Sequence, residues 1–262
     1  DGFNVHHWDM EFNLLRLQDG VMVLEKALVE DWSLIRSNSA IIRFRKLVKH
    51  LDGTYSKFPY KLFNFHSDFY QTRFNYKFSG LSEKYINDLI DSSWKSEWPY
   101  PLYDMCELES FSRKIKKRLW NKERAFENEF HLIDGENFYK HTKKYLIDLL
   151  SNYDQIKEDD TTFVTNNAFE PFNAKRGLRY FDNAKCIIVR RDPRDMYTTG
   201  ESYSKLYSKI SHGQKVENFI KRFKMQERNT DKIPHRDIMF LQYEDLILNY
   251  ENTIVKILSF LE

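Results

Sequence analysis

Residues Lys185-Cys186-Ile187-Ile188-Val189-Arg190-Arg191-Asp192-Pro193 run from an apolar stretch straight into two arginines and a turn. Three of the four residues from Cys186 to Val189 are β-branched, which predicts a short strand covered on both faces, as in a parallel sheet. Asp192 is suited to cap a helix and Pro193 to begin one, so the segment from Arg194 to about Lys209 reads as that helix. Such a helix directs its backbone N–H groups and dipole beyond the carboxyl end of the strand, where open α/β sheets bind ligands. With Arg191 fixed beside it, and the hydroxyl of Thr199 two helical turns on, the expectation is an anion site.

The remainder of the chain is compatible with an α/β domain. Asn137–Asn152 reads as an amphipathic helix, Thr161–Thr165 as a strand and Phe172–Phe181 as a short helix. Val216–Arg228 reads as a helix, Ile238–Gln242 as a strand and Tyr250–Leu261 as a final helix. Strands alternating with helices imply crossovers and a mainly parallel sheet flanked by helices. Before this rhythm, Phe12 to Lys49 shows helical spacing, with breaks expected at Asp31-Trp32 and at Ser37-Asn38-Ser39. The stretch 54–103 is rich in Phe, Tyr and Trp and weak in periodicity outside Leu81 to Trp94. It reads as an insertion of loops and short helices that shapes an acceptor pocket.

Two segments of the last third resemble the sulfotransferases that use 3′-phosphoadenosine 5′-phosphosulfate (PAPS). In that family a strand ends in Arg-Asp-Pro, with a Ser eight residues after the Arg, and together they hold the 3′-phosphate. Arg191 and Thr199 stand at those places, Thr preserving the hydroxyl. Further on, Phe240-Leu241-Gln242-Tyr243-Glu244-Asp245-Leu246 and the run Ile254 to Leu261 resemble the family's strand ending in Tyr-Glu-Asp-Leu and its helix ending in Phe-Leu. The resemblance implies a P-loop nucleotide-hydrolase-like fold of the sulfotransferase type over 1–262 as a single domain. It also implies transfer of a sulfuryl group from PAPS to a hydroxyl or amine, with Tyr243 contacting adenine.

Other parts of the family pattern are changed or missing. The backbone cradle for the 5′-phosphosulfate needs a loop rich in Gly, Ser, Thr and Lys or Arg. None of the eight glycines lies in such a run, so the resemblance implies that this loop and its strand precede Asp1. Val5-His6-His7-Trp8 loosely resembles the segment in which carbohydrate sulfotransferases carry a general base. That implies His7 or His6 as the base, an imidazole being suited to taking a hydroxyl proton near neutral pH; a plain strand-end histidine pair is the alternative. Asn166-Asn167 replace a Lys-Thr element after the Thr161–Thr165 strand, leaving Glu170 as another candidate base and an Asx turn into Pro171 as the structural reading. The run Arg113–Lys122 is either a site for an acidic glycan or a solvated helix face, and Lys175, Arg176 and Arg179 either border the nucleotide or lie on a surface helix.

Composition narrows the classes. With 41 basic and 39 acidic side chains the formal charge is +2, which argues against a dedicated nucleic-acid binder and leaves anion binding as a local property. Two cysteines form no disulfide framework and fit a reducing, cytoplasmic compartment. No apolar run is long enough for a membrane span, and no histidine or cysteine spacing suggests a metal site. The expected partner is a small-molecule or glycan acceptor, and oligomeric state is not readable. Two other functions fit parts of the pattern: a nucleotide-dependent kinase of related fold, and a non-catalytic glycan-binding or scaffold protein without the cofactor loop.

Overall fold

The computed structural model describes residues 5–53, 70–96, 110–112, 114–115, 118, 128–133, 135–157, 162–203, 212–230 and 235–262. It divides into two compact units, Asp1–Phe169 and Glu170–Glu262. Among the described residues the strands form three two-stranded sheets, two parallel and one antiparallel. The result is a mixed α/β fold with parallel strand pairs.

In the first unit, β1 (Val5–Glu11) pairs in parallel with β4 (Thr162–Asn166), His6 opposite Phe163 and His7 opposite Val164. Both histidines therefore lie inside a strand that continues to Glu11, not at its end. After β1 come α1 (Asn13–Arg16), α2 (Val21–Glu25), a π-helical turn at Lys26–Glu30 and α3 (Leu34–Leu51). The expected break at Asp31-Trp32 is present, and Ser33 caps α3 by accepting from the Arg36 N–H at 3.2 Å. The break expected at Ser37-Asn38-Ser39 does not occur. Ser37 donates its hydroxyl to the Ser33 carbonyl, and the Asn38 amide donates to Leu34 and His131 carbonyls while accepting from the His131 N–H at 2.8 Å. Polar residues that would compete with the helix backbone are here satisfied by it and by a neighbouring strand.

That neighbour is β3 (Asn128–Ile133), antiparallel to β2 (Ile90–Ser96), which follows α5 (Phe78–Leu89) with no turn between. Between α3 and α5 lies α4 (Tyr70–Arg73). Of the aromatic stretch 54–103, residues 54–69 and 97–103 lie outside the described residues, and the acceptor-lid reading rests there. The aromatic side chains Tyr70, Phe74, Phe78 and Tyr85 are interior. Trp8, 2 % exposed, stacks on Phe74 at 5.3 Å and meets Tyr70 edge-on at 5.5 Å, an aromatic cluster within a core that also buries aliphatic chains such as Leu14, Leu24 and Ile41. A turn at Gly135–Asn137 leads into α6 (Phe138–Leu150), whose Tyr145 stacks on Tyr85 at 4.4 Å. Their hydroxyls bond Ser82 and Thr142, and burial raises both phenol pKa values.

The second unit opens with a turn at Pro171–Asn173 and α7 (Ala174–Leu178), followed by β5 (Cys186–Arg190), α8 (Pro193–Tyr203) and α9 (His212–Asn229). Then come β6 (Ile238–Gln242), α10 (Tyr243–Leu248) and α11 (Tyr250–Leu261). β5 and β6 are parallel, Cys186 opposite Ile238 through Arg190 opposite Gln242, so both strands end at one edge. Ile188 is 8 % exposed but Val189 is 53 % exposed, which corrects the expectation of cover on both faces: β5 shows the alternation of a strand packed on one. Lys185 donates to the Phe260 carbonyl at 2.6 Å, a cation on the last turn of α11 that ties this helix to the start of β5. Among the described residues no helix is long and apolar enough to cross a membrane.

Candidate functional site

Two adjacent arginines leave the end of β5 in opposite directions, as strand geometry requires. The Arg190 guanidinium lies 4.5 Å from the centre of the Phe240 ring and 4.0 Å from the Glu227 carboxylate, which neutralises it. Arg191 lies over the Tyr243 ring at 5.0 Å, and its buried Nε has no hydrogen-bond partner among the described residues. A guanidinium held by a ring, with no carboxylate matched to it among the described residues, retains donors for an anion.

The amino end of α8 is closed by its own residues. Asp192 accepts from the Arg194 N–H at 2.8 Å, Pro193 has no N–H to offer, and the Asp192 N–H donates to Glu244 Oε1 at 2.7 Å. The Asp192 carboxylate also receives the Arg194 guanidinium through Nε and a terminal nitrogen. Those bonds hold the Asp192 pKa down to about 2 and raise that of Arg194. This corrects the expectation that the helix terminus itself meets the ligand: its first amides are already used, and the available positive group is Arg191.

Arg191 and Tyr243 are thus together. Thr199 sits half-buried in the second turn of α8, its hydroxyl without a partner among the described residues, whereas its neighbour Thr198 bonds back to the Asp195 carbonyl at 3.0 Å. The thiol of Cys186, pushed up to about 11 by burial, remains protonated at neutral pH.

A model of the sulfotransferase family matches residues 102–262. The chain belongs to the sulfotransferase family. No curated protein and no solved structure matches it. The matched residues include both strand ends just described, and family membership makes the chain a transferase.

The remaining candidates of this sulfotransferase are carried by other elements. His6 and His7 are on β1 in the first unit; His6 packs on the rings of Tyr153 at 4.9 Å and Phe163 at 5.4 Å, while the His7 side chain is exposed. Glu170 is half-buried, and its carbonyl accepts from the Asn173 N–H at 2.8 Å. Asn167 adopts a left-handed backbone with φ 50°, and its amide donates to Glu11 Oε1 at 3.0 Å, while the Asn166 carbonyl accepts from the Phe12 N–H. These bonds join the end of β4 to the end of β1, where Glu11 is opposite Asn166, and neither is the side-chain-to-backbone bond of an Asx turn. Most of Arg113–Lys122 lies outside the described residues. Lys175 and Arg179 are exposed and Arg176 half-buried. Among the described residues no group of three His, Cys, Asp or Glu is arranged to hold a metal.

Sequence reasoning quoted Glu244 within its motif but gave it no role. Its contact comes from the pairing of the two strands: with Arg190 opposite Gln242, residue 192 falls opposite residue 244.

Proposed function

We propose that this sulfotransferase moves a sulfuryl group from PAPS to a hydroxyl, or an amine, of a small-molecule or carbohydrate acceptor, releasing adenosine 3′,5′-bisphosphate. The observation that carries this reading is Arg191: a cation at the common carboxyl edge of two parallel strands, with no opposing carboxylate and no partner for its buried Nε among the described residues. A phosphate monoester supplies the oxygens such a donor requires, and a fork-shaped guanidinium suits it better than a point charge. Thr199 is assigned to the same phosphate as a neutral hydroxyl donor. Tyr243, 39 % exposed, has one face toward Arg191, which leaves ring surface for stacking on adenine.

PAPS would supply the activated sulfuryl group. The protein's part is to position the donor, exclude competing acceptors and take the acceptor's proton. His7 is the first candidate for that base because its imidazole is solvent-accessible on a rigid strand, His6 being enclosed by two rings. Glu170 is the third candidate.

Calorimetric titration with adenosine 3′,5′-bisphosphate tests the reading. Micromolar binding by the wild type, weakened about 10- to 100-fold in Arg191→Ala, is expected for loss of a charge-assisted contact. Wild-type affinity in the variant, or no binding by either protein, would defeat it.

A further inference from the structure

The register of β5 and β6 continues past the last ladder pair. Arg190 faces Gln242 in the ladder, Arg191 lies over the ring of Tyr243, and the Asp192 N–H reaches the side chain of Glu244. Three consecutive residues of one segment thus meet three of the other, although only the first pair belongs to the sheet.

Arg191 and Asp192 are the only two residues between the end of β5 and the start of α8. A connection this short has few backbone conformations, and each fixed neighbour removes more. On one side the ladder fixes Arg190. On the other, Asp192 is held by the helix it caps and by Glu244. The Glu244 bond is charge-assisted, 2.7 Å long and made by a half-buried carboxylate, so it is among the stronger bonds available to a backbone amide.

From this juxtaposition we infer that Glu244 is a positioning residue for the anion site: its carboxylate, holding the Asp192 amide, sets the backbone from which Arg191 reaches the ligand phosphate. The inference rests on the reading of Arg191 given above. It assigns Glu244 a task opposite to that expected from its charge alone. A carboxylate near an anion site repels the anion, so as a bare charge Glu244 would weaken binding. As an acceptor for Asp192 it strengthens binding by removing alternative placements of Arg191.

The two roles separate in a pair of variants. Glu244→Gln keeps an acceptor oxygen and removes the charge, whereas Glu244→Ala removes both. Positioning requires the adenosine 3′,5′-bisphosphate Kd to rise about tenfold in E244A, the equivalent of ~1.4 kcal/mol, and to stay within about twofold of wild type in E244Q. With PAPS as the varied substrate, KM should follow the same pattern while kcat changes little. Exchange of the Asp192 amide proton, followed by NMR, should quicken in E244A and not in E244Q, with thermal midpoints measured in parallel to confirm folded protein. Tighter binding in both variants would mean that charge repulsion dominates, and tighter binding in E244A alone that Glu244 competes with the ligand for the amide. Either overturns the inference, as does E244A binding like wild type. Wild-type protein that fails to bind overturns the reading of Arg191 and the positioning role together, whereas normal wild-type binding with an unaffected E244A overturns only the latter.

Discussion

At the scale of single residues, neighbours in sequence with the same chemistry are given different tasks by the strand they share. Among the described residues Arg190 has a carboxylate beside it, Glu227 at 4.0 Å, and Arg191 has none, so Arg190→Ala is expected to leave bisphosphate affinity within about threefold while Arg191→Ala does not. Asp192 gives a prediction in pH. Its pKa in the folded protein, about 2, lies below the unfolded value of about 3.9, so its stabilising bonds to Arg194 are fully present above the unfolded value. They are lost as pH falls from there through about 2. Carboxyl NMR should find the Asp192 midpoint near 2, and a midpoint near 4 would show that the Arg194 bonds do not form in solution. Arg191 was marked in the sequence by the apolar strand it follows, and Tyr243 by the resemblance of its segment to the family's Tyr-Glu-Asp-Leu strand end. Glu244 was not, because its role depends on the alignment of β5 with β6, which no local pattern encodes.

Elements were legible where their periodicity was clean. Tyr250–Leu261 and Ile238–Gln242 form as their spacing predicts, and Cys186 to Val189 differs from the observed strand by one residue. The strands β2 and β3 were missed for a physical reason. β2 carries only Ile90 and Trp94 as apolar residues and follows α5 without a turn, so neither alternation nor punctuation marks it. The uninterrupted α3 was missed because its serines and asparagine look like helix breakers until their partners are known. Asn38 is the test. Buried, and bonded to both backbone groups of His131, it should cost roughly 2–3 kcal/mol when changed to alanine, because the His131 N–H and C=O lose a partner. Chemical denaturation measures this, and a loss below about 0.5 kcal/mol would contradict the account of why α3 runs through.

For the molecule as a whole, the two units carry different parts of the argument. The first has a cluster of aromatic rings in its core, and Trp8→Ala should destabilise it by about 3–5 kcal/mol through a cavity bordered by Tyr70, Phe74 and Tyr153. The second carries the arginine that the functional reading depends on, within the part of the chain matched by the sulfotransferase family. The central claim is that Arg191 recognises the 3′-phosphate, and a four-way binding cycle tests it most directly. Wild type and Arg191→Ala are each titrated with adenosine 3′,5′-bisphosphate and with adenosine 5′-phosphate, which lacks that group. The wild type should prefer the bisphosphate by about 10- to 100-fold, and the preference should collapse to about threefold or less in the variant. An undiminished preference in Arg191→Ala would contradict the claim, because another group would then be reading the 3′-phosphate.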